Sequence, residues 1–509
     1  VEYPFIPAGG NAAPERREIV STEACNGCHT RLSVHGDIRR DVQLCIQCHT
    51  PQTTDAQSGN SLNFAELIHK LHRGAELPSV QAGTPYEIIG FNNSVNDYSD
   101  VEFPQDIRNC QVCHTGAAQA DLHKTNPTLA GCASCHDRTW FGNPDQTPEG
   151  WENHVGGQQV NNSLCQLCHK PNGPAPAPIA ESHIIPNESE EAPGLTYHIL
   201  SVDPVVSEDG TTATLTVTFE ALDKDGVRYA SLSSFGSASM TVAYPVTEYQ
   251  TVVRESLIGN AVPGTIVHNA DGTHTYTFKA SFPVTGDTFA VGLEGRVNYV
   301  FREGNYQQGP TTSGRTIFTL DGSDPQERRQ VVAMEKCNVC HKDLHLHGQN
   351  RVGVEYCVMC HNPNGSDVAR RPAGAGDPET IDFKVLIHKI HTGENLTQPY
   401  TVYGFGGSQN DFTGILFPGQ TRQCSICHVD GAVDLPLAPE VLDTVVKNSA
   451  GDVVSAKGPT RAVCTSCHDD PLVDTHAVLM TDSMGVESCA VCHGPDEIIS
   501  ANKYHALLP

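Results

Sequence analysis

The chain has 509 residues, a formal net charge of −27 at pH 7 and an apolar fraction of only 38 %. Its length predicts several domains, and its acidity argues against nucleic acid as a partner, because nucleic-acid binding needs a basic surface. The sequence has no run of about 18 consecutive apolar residues, so it predicts no membrane-spanning segment.

All 20 cysteines belong to ten Cys-x-x-Cys-His motifs, the first of which starts at Cys25. In such a motif the two thiols form thioethers with one haem, and the next residue, histidine, falls beneath the iron as a ligand. Zinc sites also use Cys-x-x-Cys pairs, but they do not require a histidine after every second cysteine. The pattern therefore predicts ten covalently attached haem c groups. The cysteines predicted to bind them are Cys25, Cys28, Cys45, Cys48, Cys110, Cys113, Cys132, Cys135, Cys165, Cys168, Cys337, Cys340, Cys357, Cys360, Cys424, Cys427, Cys464, Cys467, Cys489 and Cys492. The motif histidines predicted as proximal iron ligands are His29, His49, His114, His136, His169, His341, His361, His428, His468 and His493.

The chain contains an internal duplication. Residues 15–44 resemble residues 327–356, and the pattern Phe-x-x-Leu-Ile-His-Lys-x-His occurs at both 64–72 and 383–391. Each copy holds five of the motifs. We therefore predict two pentahaem cytochrome modules, at 15–194 and 327–509, built from short helices and loops with little regular structure. The best helix candidates are 64–72 and 383–391.

The stretch between the modules, 195–326, has no cysteine and a different character. Ala213, Leu215, Val217 and Phe219 alternate with polar residues, which is the period of a half-buried strand. We predict an all-β domain here, a sandwich or small barrel of about seven strands, that acts as a spacer or docking face. Residues 1–14 occupy the same position before the first module as the end of the β domain occupies before the second module. We interpret them as the last strand and linker of a missing N-terminal β domain.

The sixth ligand of each iron is predicted to be a second histidine, because neutral imidazole is a common iron ligand. Of 25 histidines ten lie in motifs, which leaves 15, and the duplication pairs ten of these. His345 is an alternative to His347, although only His347 has a counterpart in the first module. Spacing does not decide which distal histidine serves which motif. The predicted distal ligands are His35, His69, His72, His154, His183, His347, His388, His391, His476 and His505.

Two imidazoles per iron leave no coordination position open for a substrate, which is typical of electron transfer rather than turnover. No catalytic acid–base residues are predicted. Two alternatives stay open: a multihaem reductase, which would need one open haem site, and a periplasmic or filament electron carrier. The acidic loops also leave calcium binding open, although no loop motif points to it.

The motifs resemble those of the outer-membrane decahaem c-type cytochromes of the OmcA/MtrC family. The resemblance rests on the five-plus-five motifs, on the paired histidines at 68–72 and 387–391, and on the similar approaches 103–110 and 417–424. It implies two pentahaem domains separated by β domains, with haems in a continuous branched chain. It further implies export to the extracellular face of the outer membrane and docking on a porin–cytochrome conduit. The implied acceptors are ferric or manganese minerals, flavins, electrodes or other cytochromes.

Three features depart from that family. We expect the family's first β domain to be missing here apart from its last strand, residues 195–326 lack a cysteine pair, and the chain has no cysteine left for a lipid anchor. Thioether attachment of haem is done outside the cytoplasm, so we expect an exported protein. The absence of a signal peptide then indicates a mature or trimmed chain.

Overall fold

The computed structural model describes residues 5–7, 16–259, 262–429 and 431–506. The chain divides into two compact units. One is formed by residues up to Ile185 together with Ile415–Gln420, and the other by Pro186–Gly414 and the residues from Thr421 onward. Of the N-terminal strand and linker predicted at 1–14, only 5–7 are described, and the rest of that prediction lies outside the described residues.

The first unit consists of short helices and loops with two small two-stranded sheets. Helix α3 confirms the helix predicted at 64–72, and it ends at Gly74, whose φ is +39°. A Cβ atom at Gly74 would lie 2.3 Å from the Val101 carbonyl oxygen, so only glycine fits there. The helices are α1 Thr22–His29, α2 Val42–Cys45, α3 Phe64–Arg73, α4 Pro78–Gln81, α5 Leu122–Thr125, α6 Leu129–Cys135, α7 Cys165–Cys168 and α8 Ile179–Ser182. The strands are β1 Glu87–Ile89, β2 Val95–Asp97, β3 Thr139–Trp140 and β4 Glu152–Asn153.

The second unit begins with a β-sandwich, which confirms the predicted β domain. One antiparallel sheet has the order β5-β6-β10-β9, and the other has the order β12-β11-β7-β8 with β13 beside β11. Both sheets are open, so the barrel alternative is wrong, and the described strands number nine rather than about seven. The two extra strands, β9 and β13, are short four-residue edges that carry little periodicity. The strands are β5 Thr196–Val206, β6 Thr212–Leu222, β7 Phe235–Tyr244, β8 Thr251–Ser256, β9 Thr265–His268, β10 His274–Pro283, β11 Thr288–Phe301, β12 Gly304–Gln308 and β13 Thr316–Thr319.

Alternation along the strands builds the core of the sandwich. On β6 the residues from Ala213 to Ala221 are buried at every second position, as the sequence predicts. Phe219, Tyr276, Phe289 and Leu293 are completely buried between the two sheets. Burying side chains of this size stabilises the fold by about 1.5–3 kcal/mol each.

The second cytochrome module shares a core with the sandwich. Ala243 and Ala290, on the outer face of one sheet, pack with Tyr356, Val358 and Met359 of helix α10. The second module is thus built on the sandwich rather than merely joined to it. Its helices are α9 Met334–His341, α10 Val354–Cys360, α11 Phe383–Thr392, α12 Pro459–Cys464, α13 Pro471–Leu479, α14 Ala490–His493 and α15 Ala501–His505. Its strands are β14 Thr401–Tyr403, β15 Gln409–Asp411, β16 Thr444–Lys447 and β17 Val453–Lys457.

No helix in the described part of the chain is both long enough and apolar enough to span a bilayer.

Candidate haem sites

The motif residues lie at the ends of short helices. In α1 the side chain of Ser21 accepts a hydrogen bond from the backbone N–H of Ala24, which caps the helix start. Cys25, Cys28 and His29 follow at spacings of three and four, so they lie on one helix face. The helix ends at His29, the last residue of the motif. This geometry presents two thiols and one imidazole to the same space.

All 20 cysteines lie in the described residues, and none of them forms a disulfide bond. Among the described residues, no three or more His, Cys, Asp or Glu side chains are grouped so that they could hold a metal ion. Zinc binding would need such a group of about four ligands. The thiols are therefore available for haem attachment, and the fold gives no support to the zinc alternative.

Each motif histidine faces one of the ten predicted distal histidines. The ring centroids of the facing pairs are 5.8 to 6.4 Å apart. The pairs of the first module are His29 with His72, His49 with His35, His114 with His69, His136 with His183 and His169 with His154. The pairs of the second module are His341 with His391, His361 with His347, His428 with His388, His468 with His505 and His493 with His476. The two modules therefore use the same pairing order.

The gap between facing rings fits one metal ion. Imidazole nitrogens bind first-row metals such as zinc at about 2.0–2.1 Å, so two opposed bonds and two ring radii add up to about 6 Å. The observed separations match that distance. Each pair can hold one haem iron between its rings, while the two thiols beside the motif histidine can hold the porphyrin edge.

Hydrogen bonds set the tautomer of many of these rings. A backbone carbonyl can only accept, so a ring nitrogen bonded to one carries the proton and leaves the other nitrogen free for a metal. His72 makes such a bond from Nδ1 to the Ile68 carbonyl at 2.8 Å, and its counterpart His391 makes the same bond to Ile387 at 2.9 Å. At least eleven of the twenty histidines have Nδ1 on a carbonyl: His29, His49, His72, His154, His169, His183, His361, His388, His391, His493 and His505.

Desolvation by the surrounding protein keeps several of these rings neutral. It lowers the pKa of His69, His72 and His388, and it lowers the pKa of His114, His347 and His428 to about 4. Neutral imidazole is the form that binds a metal. The rings are thus ready to act as ligands at neutral pH.

Helix α3 carries two of the distal histidines and directs them to different motifs. His69 faces His114 and His72 faces His29. An ion pair of 3.0 Å between Lys70 and Asp137, the residue after the fourth motif, fixes the helix in place. The Ser134 hydroxyl group also lies 3.2 Å from Nδ1 of His69. Asp137 and Ser134 could not be recognised from the sequence as supports of the site.

The remaining histidines have other partners. Both ring nitrogens of His345 bond to carbonyl oxygens, of Asp343 and Pro310, so His347 rather than His345 faces His361. His268 and His274 bond to each other at 2.8 Å. His198 pairs with Glu220. His123 stacks on His114 at 4.5 Å, a contact that the sequence pattern did not indicate.

Comparison with known proteins places these sites in a family. Residues 17–183 and 329–506 each match the family described as outer membrane cytochrome MtrC/MtrF-like, domains II/IV. The chain belongs to this family of outer-membrane cytochromes. The two matched segments coincide with the two copies of the duplication, which confirms the resemblance noted from the motifs.

Two relatives support the assignment. The chain is 25 % identical over 550 residues to the multihaem cytochrome MtrC of Shewanella baltica (strain OS185), covering 96 % of this chain and 71 % of the relative. It also resembles the crystal structure of the outer membrane decahaem cytochrome OmcA, with a TM-score of 0.67 and 21 % identity. That match covers 98 % of this chain and 76 % of the other. As a member of this family, the chain carries covalently bound haem c.

The cysteines of the ten motifs show which motifs are neighbours. Burial raises the pKa of Cys25, and the nearby Cys45 of the second motif raises it further. Burial also raises the pKa of Cys113 to about 11, with help from Cys25 and Cys28 of the first motif. The third motif is similarly linked to the fourth, and the fourth to the fifth, through Cys110 with Cys135 and Cys132 with Cys165. The spatial order in the first module is therefore second, first, third, fourth, fifth.

The second module repeats this order. Burial raises the pKa of Cys357 to about 12, and Cys337 of the preceding motif adds to the shift. The sixth motif therefore adjoins the seventh. Its other neighbour is the eighth, since Cys337 also raises the pKa of the buried Cys427. The links to the ninth and tenth motifs run through Cys467 with Cys424 and Cys464 with Cys489.

Proposed function

We propose that this cytochrome carries ten haem c groups and transfers electrons at the cell surface to extracellular acceptors. The supporting observation is the set of ten facing histidine pairs, each beside two cysteines that form no disulfide bond. The cysteines and histidines predicted from the motifs and the duplication are the proposed attachment and ligand residues. Bound haem supplies a one-electron couple at each iron. We also propose the domain division 15–194, 195–326 and 327–509.

The protein contributes by holding each pair of imidazoles in place. With a histidine on both sides, the ligands are the same in the oxidised and reduced states, so little rearrangement accompanies transfer. The same arrangement leaves no position for a substrate on the metal, which argues against the reductase alternative. All ten motif histidines lie in the described residues and all face a second imidazole, so no motif is singled out as a catalytic one.

The order of the motifs suggests how electrons move within each module. The second and fifth motifs are the ends of this order in the first module, and the seventh and tenth are its ends in the second module. We propose that electrons pass along this order and leave at the ends to minerals, flavins or other cytochromes. The relatives are outer-membrane cytochromes, so we propose the extracellular face of that membrane and a porin–cytochrome conduit as the electron donor.

The first experiment combines haem counting with low-temperature EPR of the fully oxidised protein. We expect ten haems per chain by the pyridine haemochromogen assay and only low-spin ferric signals. The reduced protein should then be reoxidised by flavin mononucleotide, ferric citrate and solid ferric oxide. A stoichiometric high-spin signal would instead indicate an open iron and favour a reductase. Fewer than ten haems would remove some of the proposed ligands.

A further inference from the structure

One carboxylate of the sandwich is buried against the second cytochrome module. Glu294 of β11 is 0 % exposed. It accepts hydrogen bonds from Nε of Arg254 at 2.6 Å and from Nε of Arg351 at 2.5 Å. The hydroxyl group of Tyr356 donates a third bond to it at 3.1 Å. One fully buried negative charge thus lies against two positive charges, of which that of Arg351 is the more buried.

This cluster adjoins a single haem motif. Tyr356 immediately precedes Cys357, the first cysteine of the seventh motif, and Arg351 closes the hairpin that carries His347. The charge of Arg351 affects the pKa of groups on both sides of the site, at the motif cysteine and at the predicted distal ligand. Burial raises the pKa of Cys360 while the charge of Arg351 lowers it, and desolvation together with Arg351 lowers the pKa of His347. The arginine is therefore close to an attachment thiol and to the predicted distal ligand.

Strand β11 of the sandwich also donates two hydrogen bonds to the backbone of the hairpin that carries His347. The N–H of Gly295 donates to the Asn350 carbonyl at 3.1 Å. The guanidinium group of Arg296 donates to the Gly348 carbonyl at 2.5 Å. His347 has a φ of 54°, a left-handed conformation that costs a residue other than glycine some energy and needs support from its surroundings. Strand β11 thus fixes the conformation in which His347 faces His361.

The first module provides a comparison inside the same chain. His35, the counterpart of His347, has almost the same φ of 55° and faces His49 at 6.1 Å. Its neighbour Arg39, the counterpart of Arg351, is exposed and makes no ion pair among the described residues. Leu44, the counterpart of Tyr356, is 40 % exposed, whereas Tyr356 is 2 % exposed. Arg39 still lies close enough for its charge to add to the burial that lowers the pKa of His35, so the two copies share a ligand geometry and a nearby arginine. They differ because only the arginine of the second copy is paired with a buried carboxylate.

We propose that Glu294 is a positioning residue for the haem of the seventh motif, acting through Arg351 and Tyr356 to hold the distal ligand and to set the redox potential. The inference rests on the proposed haem ligation. Charges in a protein interior interact more strongly than in water. A positive charge nearby disfavours the ferric state, which carries one more positive charge than the ferrous state, and so raises the potential. Glu294 opposes that effect by partly neutralising the two arginines.

The test compares two variants, Glu294→Gln and Arg351→Gln, that change the charge near the haem in opposite directions. Glu294→Gln leaves both guanidinium charges uncompensated, so the potential of one haem should move upward. Arg351→Gln removes a positive charge, so the potential of the same haem should move downward. Arg254→Gln should act like Arg351→Gln but more weakly, because its side chain is 42 % exposed and screened by water. Arg39→Gln in the first module is the matched control, and it should shift the potential of its haem less than Arg351→Gln does because Arg39 is exposed to solvent.

The measurement is an optical redox titration of the full holoprotein, with EPR of the oxidised state. The difference between variant and wild type should involve one tenth of the haem absorbance, with opposite signs for Glu294→Gln and Arg351→Gln. Shifts of the same sign in both variants would indicate general loosening and overturn the proposal, as would no shift in either. A wild type with missing haems or high-spin iron would instead overturn the proposed function, so the two failures are distinguishable.

Discussion

Replacing His72 by alanine should convert one haem of the ten from low spin to high spin. His72 faces His29 at 6.0 Å, and the next distal candidate on the same helix, His69, faces His114 instead. Alanine is the best helix former, so α3 should persist in the variant. Only the imidazole is lost, and the iron above His29 should then take water or no sixth ligand.

The pairing also fixes the size of the effect. With ten motifs in the chain, His72→Ala should make one tenth of the ferric iron high-spin, and His69→Ala should do the same at a different haem. The double variant should therefore reach two tenths. His391→Ala should reproduce the effect of His72→Ala in the second module, since His391 faces His341. Added imidazole should restore the low-spin signal in each case.

The assay is spin quantification by EPR at known haem content. His123→Ala serves as the control, because His123 stacks on His114 and belongs to none of the ten facing pairs, and it should leave all ten haems low-spin. A double variant with no more high-spin iron than either single variant would mean that His69 and His72 act on one haem. An unchanged spectrum for His72→Ala would mean that another group is the ligand. Either result would refute the pairing.

Three further predictions concern stability, pH and charge. Phe289→Ala should lower the free energy of unfolding of the sandwich by about 3–5 kcal/mol because the ring is fully buried, whereas Val267→Ala, at 51 % exposure, should change it little in thermal unfolding followed by circular dichroism. Burial and the neighbouring His268 lower the pKa of His274, so stability should be steady above about pH 6.5 and fall as the pH drops below that value; a flat denaturant midpoint between pH 7 and pH 5 would contradict this. The net charge of −27 should make reduction by a cationic complex such as hexaammineruthenium slow down with added salt in stopped-flow experiments, while a neutral reductant should show no such dependence.

The sequence was sufficient to predict the attachment sites because thioether chemistry imposes a fixed local spacing. It was also sufficient for the sandwich, since alternation along strands such as β6 follows from burial of one face. The set of distal candidates could be selected by comparing the two copies. The motif histidine that each candidate faces could not be predicted, because the pairing does not follow chain order. His35 precedes the second motif and faces it, whereas His72 follows the second motif and faces the first.

The residues that hold the histidine ligands in place, such as Glu294, could not be predicted from the sequence for a different reason. A charged residue such as Glu294 in an alternating strand indicates a solvent-facing position, and that interpretation holds for most sandwiches. Here β11 is covered on both faces from Thr288 to Gly295, by the sandwich core on one side and by the second module on the other. Nothing local in the strand distinguishes a face covered by another domain from one covered by water.

The shared core changes the role assigned to the sandwich. A spacer would need only to join the modules, but this domain packs against the helix that carries the seventh motif and places a buried carboxylate beside it. The duplication alone would give two sets of five haems with matching ligands and therefore similar potentials. Differences in the surrounding charge are then the available means of separating them. By contacting one copy of a repeated site, the sandwich places different charges around two sites that have the same predicted ligands, and we propose that this difference separates the potentials of the second and seventh haems.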